Sequence, residues 1–180
     1  MLYFHKELKE KLKSDYQIQK SVSSKEYFKI ENGLYSDVEF VNPLEIICKK
    51  YPNAIFTLDS AYYYYNLTDV IPDYFCLATK RTDTRINDKN VKQIFIPNDI
   101  FEFGKTQIEI ENIKINIYDE ERLLVELIRK KNVIPFDYYK EIISNYRKKT
   151  DKLDIYKIQE YISYYKNELS LYDTLMREVF

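Results

Sequence analysis

The spacing of the apolar residues changes between residues 106 and 128, and no other feature of the sequence constrains the fold as strongly. Isoleucines alternate with polar residues over 106–110 and 113–118, the period of half-buried β-strands, so residues 111–112 form a tight hairpin. After Asp119 the apolar residues follow a helical stripe instead, formed by Leu123, Leu124, Leu127 and Ile128. Strands that run directly into a helix predict an α+β fold.

Apolar spacing and turn residues predict the remaining elements. Helices are expected over 3–13, 15–23, from Pro43 onward, and from Asp59-Ser60 to about Asn66. Strands are expected at 54–58, 74–79 and 91–96. From Pro135 onward only helices are expected, over about 135–148, 152–166 and 168–178. The predicted N-caps are Ser14 or Asp15, Asn42, Asp59-Ser60 and Asp119.

The only two glycines, Gly33 and Gly104, are expected to mark specific turns. Asn32-Gly33 lies between two short apolar runs, which predicts a hairpin with a type I′ turn and positive φ at both central positions. Residues 1–36 therefore form a small helix–helix–hairpin unit. Residues 37–180 form a mixed α/β domain that ends in a helical segment.

Composition limits the classes of function. A formal net charge of −1 argues against a globally basic coat for nucleic acid, although a local basic face remains compatible with it. Cys48 and Cys76 lie among apolar residues and are interpreted as reduced core residues, and no C-x-x-C motif indicates a zinc ribbon or a redox site. With no apolar stretch near ~18 residues and no signal-peptide core, we expect a cytoplasmic protein without a membrane partner.

Nothing in the sequence predicts catalysis, a metal or a cofactor. His5 is the only histidine and has no clustered carboxylates nearby. No P-loop is present, and neither is the Gly-Ser loop with a D-x-D pair that a nucleotidyltransferase needs. The carboxylates Asp119, Glu120, Glu121 and Glu126 have a simpler explanation, since acidic residues favour a helix N-terminus. Of the run Tyr62 to Tyr65, one or two side chains are expected in the core and the others at the surface.

An ordered set of segments resembles the AbiEi antitoxins of bacterial abortive-infection systems. The set comprises the hairpin end Asn32-Gly33-Leu34-Tyr35, a proline-opened helix, a short strand before Ser60-Ala61, the turn Leu67 to Pro72, and the helix start Tyr118 to Glu126. It spans about residues 7–165. The sequence departs from the family pattern at Leu123, where the family has threonine, and at Glu126, where it has aspartate. Its N-terminal module is also shorter, because the family's winged helix usually has one more preceding helix.

The resemblance implies a truncated winged-helix unit on an α/β antitoxin domain. It implies an antitoxin that represses its own operon and counteracts a nucleotidyltransferase toxin encoded beside it, without a stable complex between the two. A half-size DNA-binding module is expected to bind operator DNA as a homodimer on an inverted repeat. The alternative is a protein-interaction module of a phage-defence system that does not bind DNA.

The candidate DNA-reading segment is Ser14 to Lys29. Gln17 and Gln19 could contact base edges, since an amide can pair with adenine through two hydrogen bonds. The remaining candidates are the phosphate-binding lysines and their polar neighbours, Lys13, Ser14, Tyr16, Lys20, Lys25 and Lys29. The alternative for this segment is a solvated helix and an edge hairpin.

Two further basic clusters are compatible either with polyanion-binding faces or with solvated helix ends, which commonly carry cations. One cluster comprises Lys80, Arg81, Arg85, Lys89 and Lys92. The other comprises Arg129, Lys130, Lys131, Arg147, Lys148, Lys149 and Lys152. Spacing alone leaves both interpretations open.

Overall fold

The computed structural model describes residues 1–180 and confirms the α+β class, with eight α-helices and two separate sheets. The chain divides into two compact units, Met1–Pro52 and Asn53–Phe180. None of the helices is both long enough and apolar enough to cross a membrane.

The first unit contains a three-stranded antiparallel sheet and three helices. In chain order its elements are β1 (Leu2–Phe4), α1 (His5–Leu12), α2 (Asp15–Ser23), β2 (Phe28–Glu31), β3 (Leu34–Ser36) and α3 (Pro43–Lys50). The sheet order is β1-β3-β2, so the strand that leads into α1 lies beside the second strand of the hairpin.

The helix predicted over 3–13 begins only at His5, because the residues before it form β1. Leu2, Tyr3 and Phe4 pair with β3, and Tyr3 lies opposite Tyr35. Three residues are too few to show an alternating pattern, and their partner strand lies far along the chain. The helix predicted over 15–23 is confirmed, and the Ser14 side chain accepts a hydrogen bond from the Gln17 N–H at 3.2 Å.

The first compact unit extends to Pro52 and so includes α3, beyond the boundary predicted after residue 36. Two ion pairs join α3 to the preceding elements: Lys49 to Glu7 of α1 and Lys50 to Glu31 of β2, each at 2.8 Å. The start of α3 agrees with the sequence, since Asn42 caps the helix and Pro43 occupies its first turn.

A small cluster of buried side chains holds α1, α2 and the hairpin together. Leu8, Ile18 and Tyr27 are buried at its centre, and the partly buried residues packed against them are Tyr3, Leu12, Val22 and Tyr35. The rings of Tyr3 and Tyr27 meet edge to face, with their centroids 5.8 Å apart. Ile18 thereby fixes which side of α2 faces inward.

The two predicted hairpins form by different turns. At Asn32-Gly33 only Gly33 has positive φ, +81°, and the strand register shifts between Lys29 and Glu31. The predicted type I′ turn is therefore wrong, and an irregularity in β2 accommodates the turn instead. Glu111 and Asn112 do have positive φ, 50° and 65°, and the strands they join pair without a shift, as a type I′ turn requires.

The second unit has a mixed five-stranded sheet and the remaining helices. Its strands are β4 (Ile55–Phe56), β5 (Phe75–Lys80), β6 (Val91–Ile96), β7 (Lys105–Ile110) and β8 (Ile113–Tyr118), in the order β6-β5-β4-β8-β7. Pairs β5–β6 and β4–β8 are parallel, and the others are antiparallel. The helices are α4 (Leu58–Tyr64), α5 (Glu120–Arg129), α6 (Phe136–Arg147), α7 (Ile155–Ser163) and α8 (Glu168–Glu178), with a 3₁₀ turn at Thr150–Lys152.

Helix α4 begins one residue before its predicted caps, at Leu58, and Thr57 precedes it without a side-chain cap. The predicted cap Ser60 serves the neighbouring strand instead. Its hydroxyl accepts a hydrogen bond from the Cys76 N–H at 2.8 Å and donates to the Tyr74 carbonyl at 3.2 Å. Of the tyrosine run, Tyr62 is fully buried and the next three are partly exposed, as expected.

Helix α5 is the centre of the second unit, and every residue from 121 to 128 is buried. Asp119 caps it as predicted, accepting a hydrogen bond from the Arg122 N–H at 2.9 Å. Arg122 is 1% exposed and lies 3.5 Å from the carboxylate of Glu126, which is 5% exposed. The apolar stripe therefore carries a buried ion pair within it.

Candidate nucleic-acid interface

Helix α2 presents a polar face to solvent. Ile18 and Ser21 are buried, whereas Tyr16 is 70% exposed, and Gln17, Gln19 and Lys20 are also exposed. The helix is short and its outward side chains are mostly uncharged. Such a face can contact the base edges and phosphates of DNA.

The predicted base-reading residues do not share one side of α2. With 3.6 residues per turn, the middle of the exposed face is formed by Tyr16, Lys20 and Ser23, opposite Ile18 and Ser21. Gln17 and Gln19 flank this middle on opposite sides. Ser23 was missed, although its spacing from Tyr16 and Lys20 could have shown it. The Ser23 hydroxyl donates to the Gln19 carbonyl at 2.9 Å.

Two acidic groups near this face are paired with cations of the protein, whereas Glu26, which follows α2, is exposed and has no cation within 4 Å. Asp15 lies 2.5 Å from Lys9 and 3.0 Å from His5, and the hydrogen bond from Lys9 lowers the pKa of its carboxyl. Glu31 on the hairpin is paired with Lys50. A carboxylate that already has a cation beside it repels a phosphate less strongly.

The four predicted phosphate-binding lysines, in contrast, have no acidic group within 4 Å. All four are exposed: Lys13, Lys20, Lys25 and Lys29. Lys13 and Lys25 lie just outside the two ends of α2, Lys20 lies on the helix, and Lys29 lies on β2. The fold therefore distributes free ammonium groups along the reading helix and its hairpin.

Lys13 and Lys25 also have an unfavourable backbone conformation. Their φ angles are +71° and +59°, in the left-handed region that glycine or asparagine usually occupies. Lys13 ends α1, where its N–H donates to the Lys9 carbonyl at 2.7 Å, and Lys25 follows the C-cap of α2. A lysine at both turns retains a positive charge where glycine would be easier to accommodate.

Two of the five cations in the cluster predicted around β5 and β6 contact other groups of the protein. Lys92 lies 3.5 Å from Asp59, and the Lys80 ammonium lies over the ring of Phe101, 5.5 Å from its centroid. Arg81, Arg85 and Lys89 are exposed in the connection between the two strands. Only these three side chains are available to an external anion.

The cations predicted near the ends of α5 and α6 mostly bind groups of the protein itself. Arg129 pairs with Glu126 at 2.8 Å and stacks over Tyr165, 3.7 Å from its ring centroid. Lys131 pairs with Glu178, and Lys149 pairs with Glu120 at 2.5 Å. The structure thus assigns these residues to packing of the second unit.

The carboxylates at the start of α5 also have structural partners. Asp119 accepts hydrogen bonds from the α5 backbone and from Tyr161, and burial raises the pKa of its carboxyl. Glu121 accepts from the Asp154 N–H at 3.0 Å, and Glu126 accepts from Arg129 and Tyr165. No group of three or more His, Cys, Asp or Glu side chains is arranged to hold a metal ion.

A cavity of about 300 Å³ in the second unit was not predicted. Its floor carries Asp59, Cys76 and Tyr138, and burial raises the pKa of the Cys76 thiol to about 11. Its rim includes Val70 and Ile71, which are exposed in the family-like turn Leu67 to Pro72. In the sequence, the two aliphatic residues Val70 and Ile71 before Pro72 were the feature that could have indicated this cavity.

Comparison with known proteins identified no relative: no family model matches this chain, and no curated protein sequence matches it.

Proposed function

We propose that this protein is an antitoxin and autorepressor of a type IV abortive-infection toxin–antitoxin system. In this proposal its first unit binds operator DNA as a winged helix, and the chain counteracts a nucleotidyltransferase toxin in the cytoplasm. The chain itself catalyses no reaction and needs no cofactor. It acts on the toxin functionally, without forming a stable complex with it.

The order of elements in the first unit supports the DNA-binding half of the proposal. In winged-helix proteins a strand and two helices precede a two-stranded hairpin, and the second helix enters the major groove. β1, α1, α2, β2 and β3 follow this order, and β1 pairs with the second hairpin strand. The proposal therefore assigns α2 as the reading helix and the β2–β3 hairpin as the wing.

One observation carries the proposal: four of the free lysines of the first unit lie on and around α2. Lys13, Lys20, Lys25 and Lys29 are exposed and unpaired, while the carboxylates of Asp15, Glu7 and Glu31 are paired with cations of the protein. Such an arrangement creates a local positive potential in a chain whose net charge is −1.

A mobility-shift titration on the DNA upstream of the protein's own operon tests this half. Replacing Lys20 and Lys29 by alanine should weaken binding to every sequence and reduce the slope of log K against log salt by about 2. Lys131→Ala with Lys149→Ala is the matched control, because both of these lysines are paired within the protein. If the parent chain causes no shift at micromolar concentration and low salt, it is not a repressor.

The DNA sequence preference of alanine variants should distinguish the role of Gln17 from that of Gln19. Whichever of Gln17 and Gln19 faces the base edges should lose about 1–3 kcal/mol of discrimination when replaced by alanine. The other substitution should leave the preference unchanged, because the two side chains flank opposite sides of α2. Binding by a homodimer further requires two half-sites about one or two DNA turns apart.

Only the family resemblance supports the antitoxin half. Growth of cells that express the neighbouring nucleotidyltransferase should be restored when this chain is co-expressed. A Lys20→Ala, Lys29→Ala variant that still restores growth would separate toxin neutralisation from DNA binding. If co-expression never restores growth, the antitoxin assignment is excluded.

A protein-interaction module is the second candidate function. It is favoured by the exposed Val70 and Ile71 at the rim of the 300 Å³ cavity, since exposed aliphatic side chains around a cleft are typical of contact surfaces. Ile71→Asp should then abolish rescue from the toxin without changing DNA binding. Unchanged rescue would remove this surface from consideration.

A further inference from the structure

Strand β7 forms one edge of the five-stranded sheet, and only β8 pairs with it. The strand has no proline, and its register with β8 is regular over all six residues. Four of these residues are exposed: Lys105, Thr106, Gln107 and Glu109. Natural proteins protect such an edge with a proline, a bulge, a covering segment or charged side chains, and of these β7 has only the charged residues Lys105 and Glu109.

The hydrogen-bonding direction of each β7 residue follows from its hairpin. Ile110 and Ile113 flank the two-residue turn, so they exchange backbone hydrogen bonds, and alternate residues of β7 do the same. The Asp119 N–H donates to the Gly104 carbonyl at 2.6 Å, which continues this alternation at the other end of the strand. The backbone groups of Gln107 and Glu109 and the Lys105 carbonyl therefore point away from the sheet.

The residues whose backbone groups point outward are Lys105, Gln107 and Glu109. Their charges are complementary to those of the same three residues read in the reverse order. When two β7 strands lie antiparallel with Gln107 opposite Gln107, each Lys105 lies opposite the Glu109 of the other copy, which becomes a second carboxylate for it beside Glu102 of its own chain at 3.0 Å. The N–H groups of Gln107 and Glu109 then donate to the outward carbonyls of Gln107 and Lys105. The Lys105 N–H already donates to the Glu102 carbonyl at 3.2 Å and is not needed.

Charge selects this register from the others that the backbone permits. Only outward residues can oppose one another, so each alternative shifts the pairing by two residues. The shifted registers place a charged residue opposite Gln107, or place Glu109 opposite Glu109, or Lys105 opposite Lys105. Opposite charges directly across a strand pair are favourable and like charges are unfavourable.

We propose that β7 pairs with β7 of a second copy of this chain, which joins the two five-stranded sheets into one across a two-fold axis at Gln107. The partner strand belongs to a second copy of this chain because Lys105 of each copy then lies opposite Glu109 of the other. The proposal does not rest on DNA binding, and the dimer should form in the free protein. Short edge pairings bury little surface, so its formation should depend on concentration.

Cysteine cross-linking tests the register. Gln107→Cys should form a disulfide between two copies on oxidation, because opposed residues in a hydrogen-bonded pair have Cα atoms about 5.5 Å apart. Glu109→Cys is the matched control: its two cysteines would be about 13 Å apart and should remain reduced. Cross-linking of Glu109→Cys but not of Gln107→Cys would overturn the register. The parent chain reports any contribution from Cys48.

Charge reversal tests the dimer itself by analytical ultracentrifugation. Lys105→Glu and Glu109→Lys should each weaken self-association by about tenfold, because each places two like-charged pairs across the axis. An equimolar mixture of the two variants should restore association, since every cross-strand pair is then opposite in charge. A folding defect cannot produce this rescue. If the parent chain is monomeric up to high micromolar concentration, or if the mixture remains monomeric, the proposal is wrong.

Discussion

The cations around α2 and the cations of the C-terminal helices differ in what they contact. Lys13, Lys20, Lys25 and Lys29 contact no acidic group, whereas the cations of the second unit such as Arg122 and Arg129 are held by carboxylates. The sequence shows lysines and arginines in both places and does not distinguish them. A basic cluster therefore indicates a binding surface only where the fold leaves its charges unpaired.

For Arg122, which is 1% exposed, the pairing follows from burial. A charge inside a protein must be paired, because the cost of removing it from water is otherwise several kcal/mol. Helix α5 lies in the core, and its Arg122 is held near Glu126 while its Nη1 donates to the Ile100 carbonyl at 3.3 Å. Helix α2 has solvent on one side, so its charges remain free at little cost. The predictions below test this contrast in order of expected size.

Glu126→Ala should produce the largest loss of stability, about 3–5 kcal/mol, because it leaves the buried Arg122 without a counter-ion. Urea unfolding followed by circular dichroism measures this loss. Lys9→Ala is the control from the first unit: it breaks an exposed ion pair with Asp15 and should cost less than about 1 kcal/mol. Equal losses for the two variants would remove the contrast between the units.

Alanine substitution of the two glycines should likewise destabilise the second unit more than the first. Gly104→Ala should cost about 3 kcal/mol, because the new Cβ would lie 2.8 Å from the Cβ of Arg122 and 2.9 Å from Oδ1 of Asp119. Gly33→Ala should cost only about 1 kcal/mol, since φ is +81° but nothing lies within 4 Å. Thermal unfolding of each variant checks the difference. A Gly33 variant that is as damaging as the Gly104 variant would contradict it.

Lys13→Gly and Lys25→Gly should each stabilise the fold by about 1 kcal/mol, because glycine adopts positive φ without the strain of a Cβ atom. On the proposed function, each should also weaken DNA binding through the loss of a phosphate contact. Unfolding and mobility-shift titrations of the same preparations test both effects. Lys→Asn at the same positions is a matched control that tolerates positive φ and also lacks the charge. Stabilisation without weaker DNA binding would exclude these lysines from the interface.

Acidification should destabilise the first unit, whereas in the second unit two carboxyls oppose one another: the pKa of Asp119 is raised, and that of Glu178 is lowered against its burial by hydrogen bonds from Lys131 and Tyr139. Lys9 and Lys49 lower the pKa values of Asp15 and Glu7, from ordinary values of 3.8 and 4.5. Their contribution to stability is therefore present above those values and is lost as pH falls through the lowered ones. Burial raises the pKa of Asp119 above 3.8, so protonation as pH falls relieves a cost in the second unit.

NMR-detected urea unfolding between about pH 6 and about pH 3 resolves these two contributions. Asp15→Asn should reduce the acid sensitivity of the first unit and leave that of the second unchanged. If the first unit becomes more stable on acidification, the predicted loss of its stability at low pH is contradicted.

The α+β class, α2 and the strands β6 and β8 were predicted from the sequence because their signals are local. Alternating isoleucines, a helical stripe after Asp119 and caps such as Ser14 and Asn42 act within a few residues. The positions of the free lysines along the chain were predicted as well. Their lack of acidic partners was not, because an ion pair such as Lys49 with Glu7 joins residues far apart in sequence.

Several features were decided only by tertiary contacts. β1 exists because a distant strand pairs with it, and α3 belongs to the first unit because its lysines pair with α1 and β2. The Asn32-Gly33 turn departs from type I′ because a register shift in β2 accommodates it. The sequence by itself determined most of the helices and strands, such as α2, β6 and β8, since apolar period and caps are local. Only the tertiary structure decided which charges are free, because pairing depends on what the fold brings within a few ångströms.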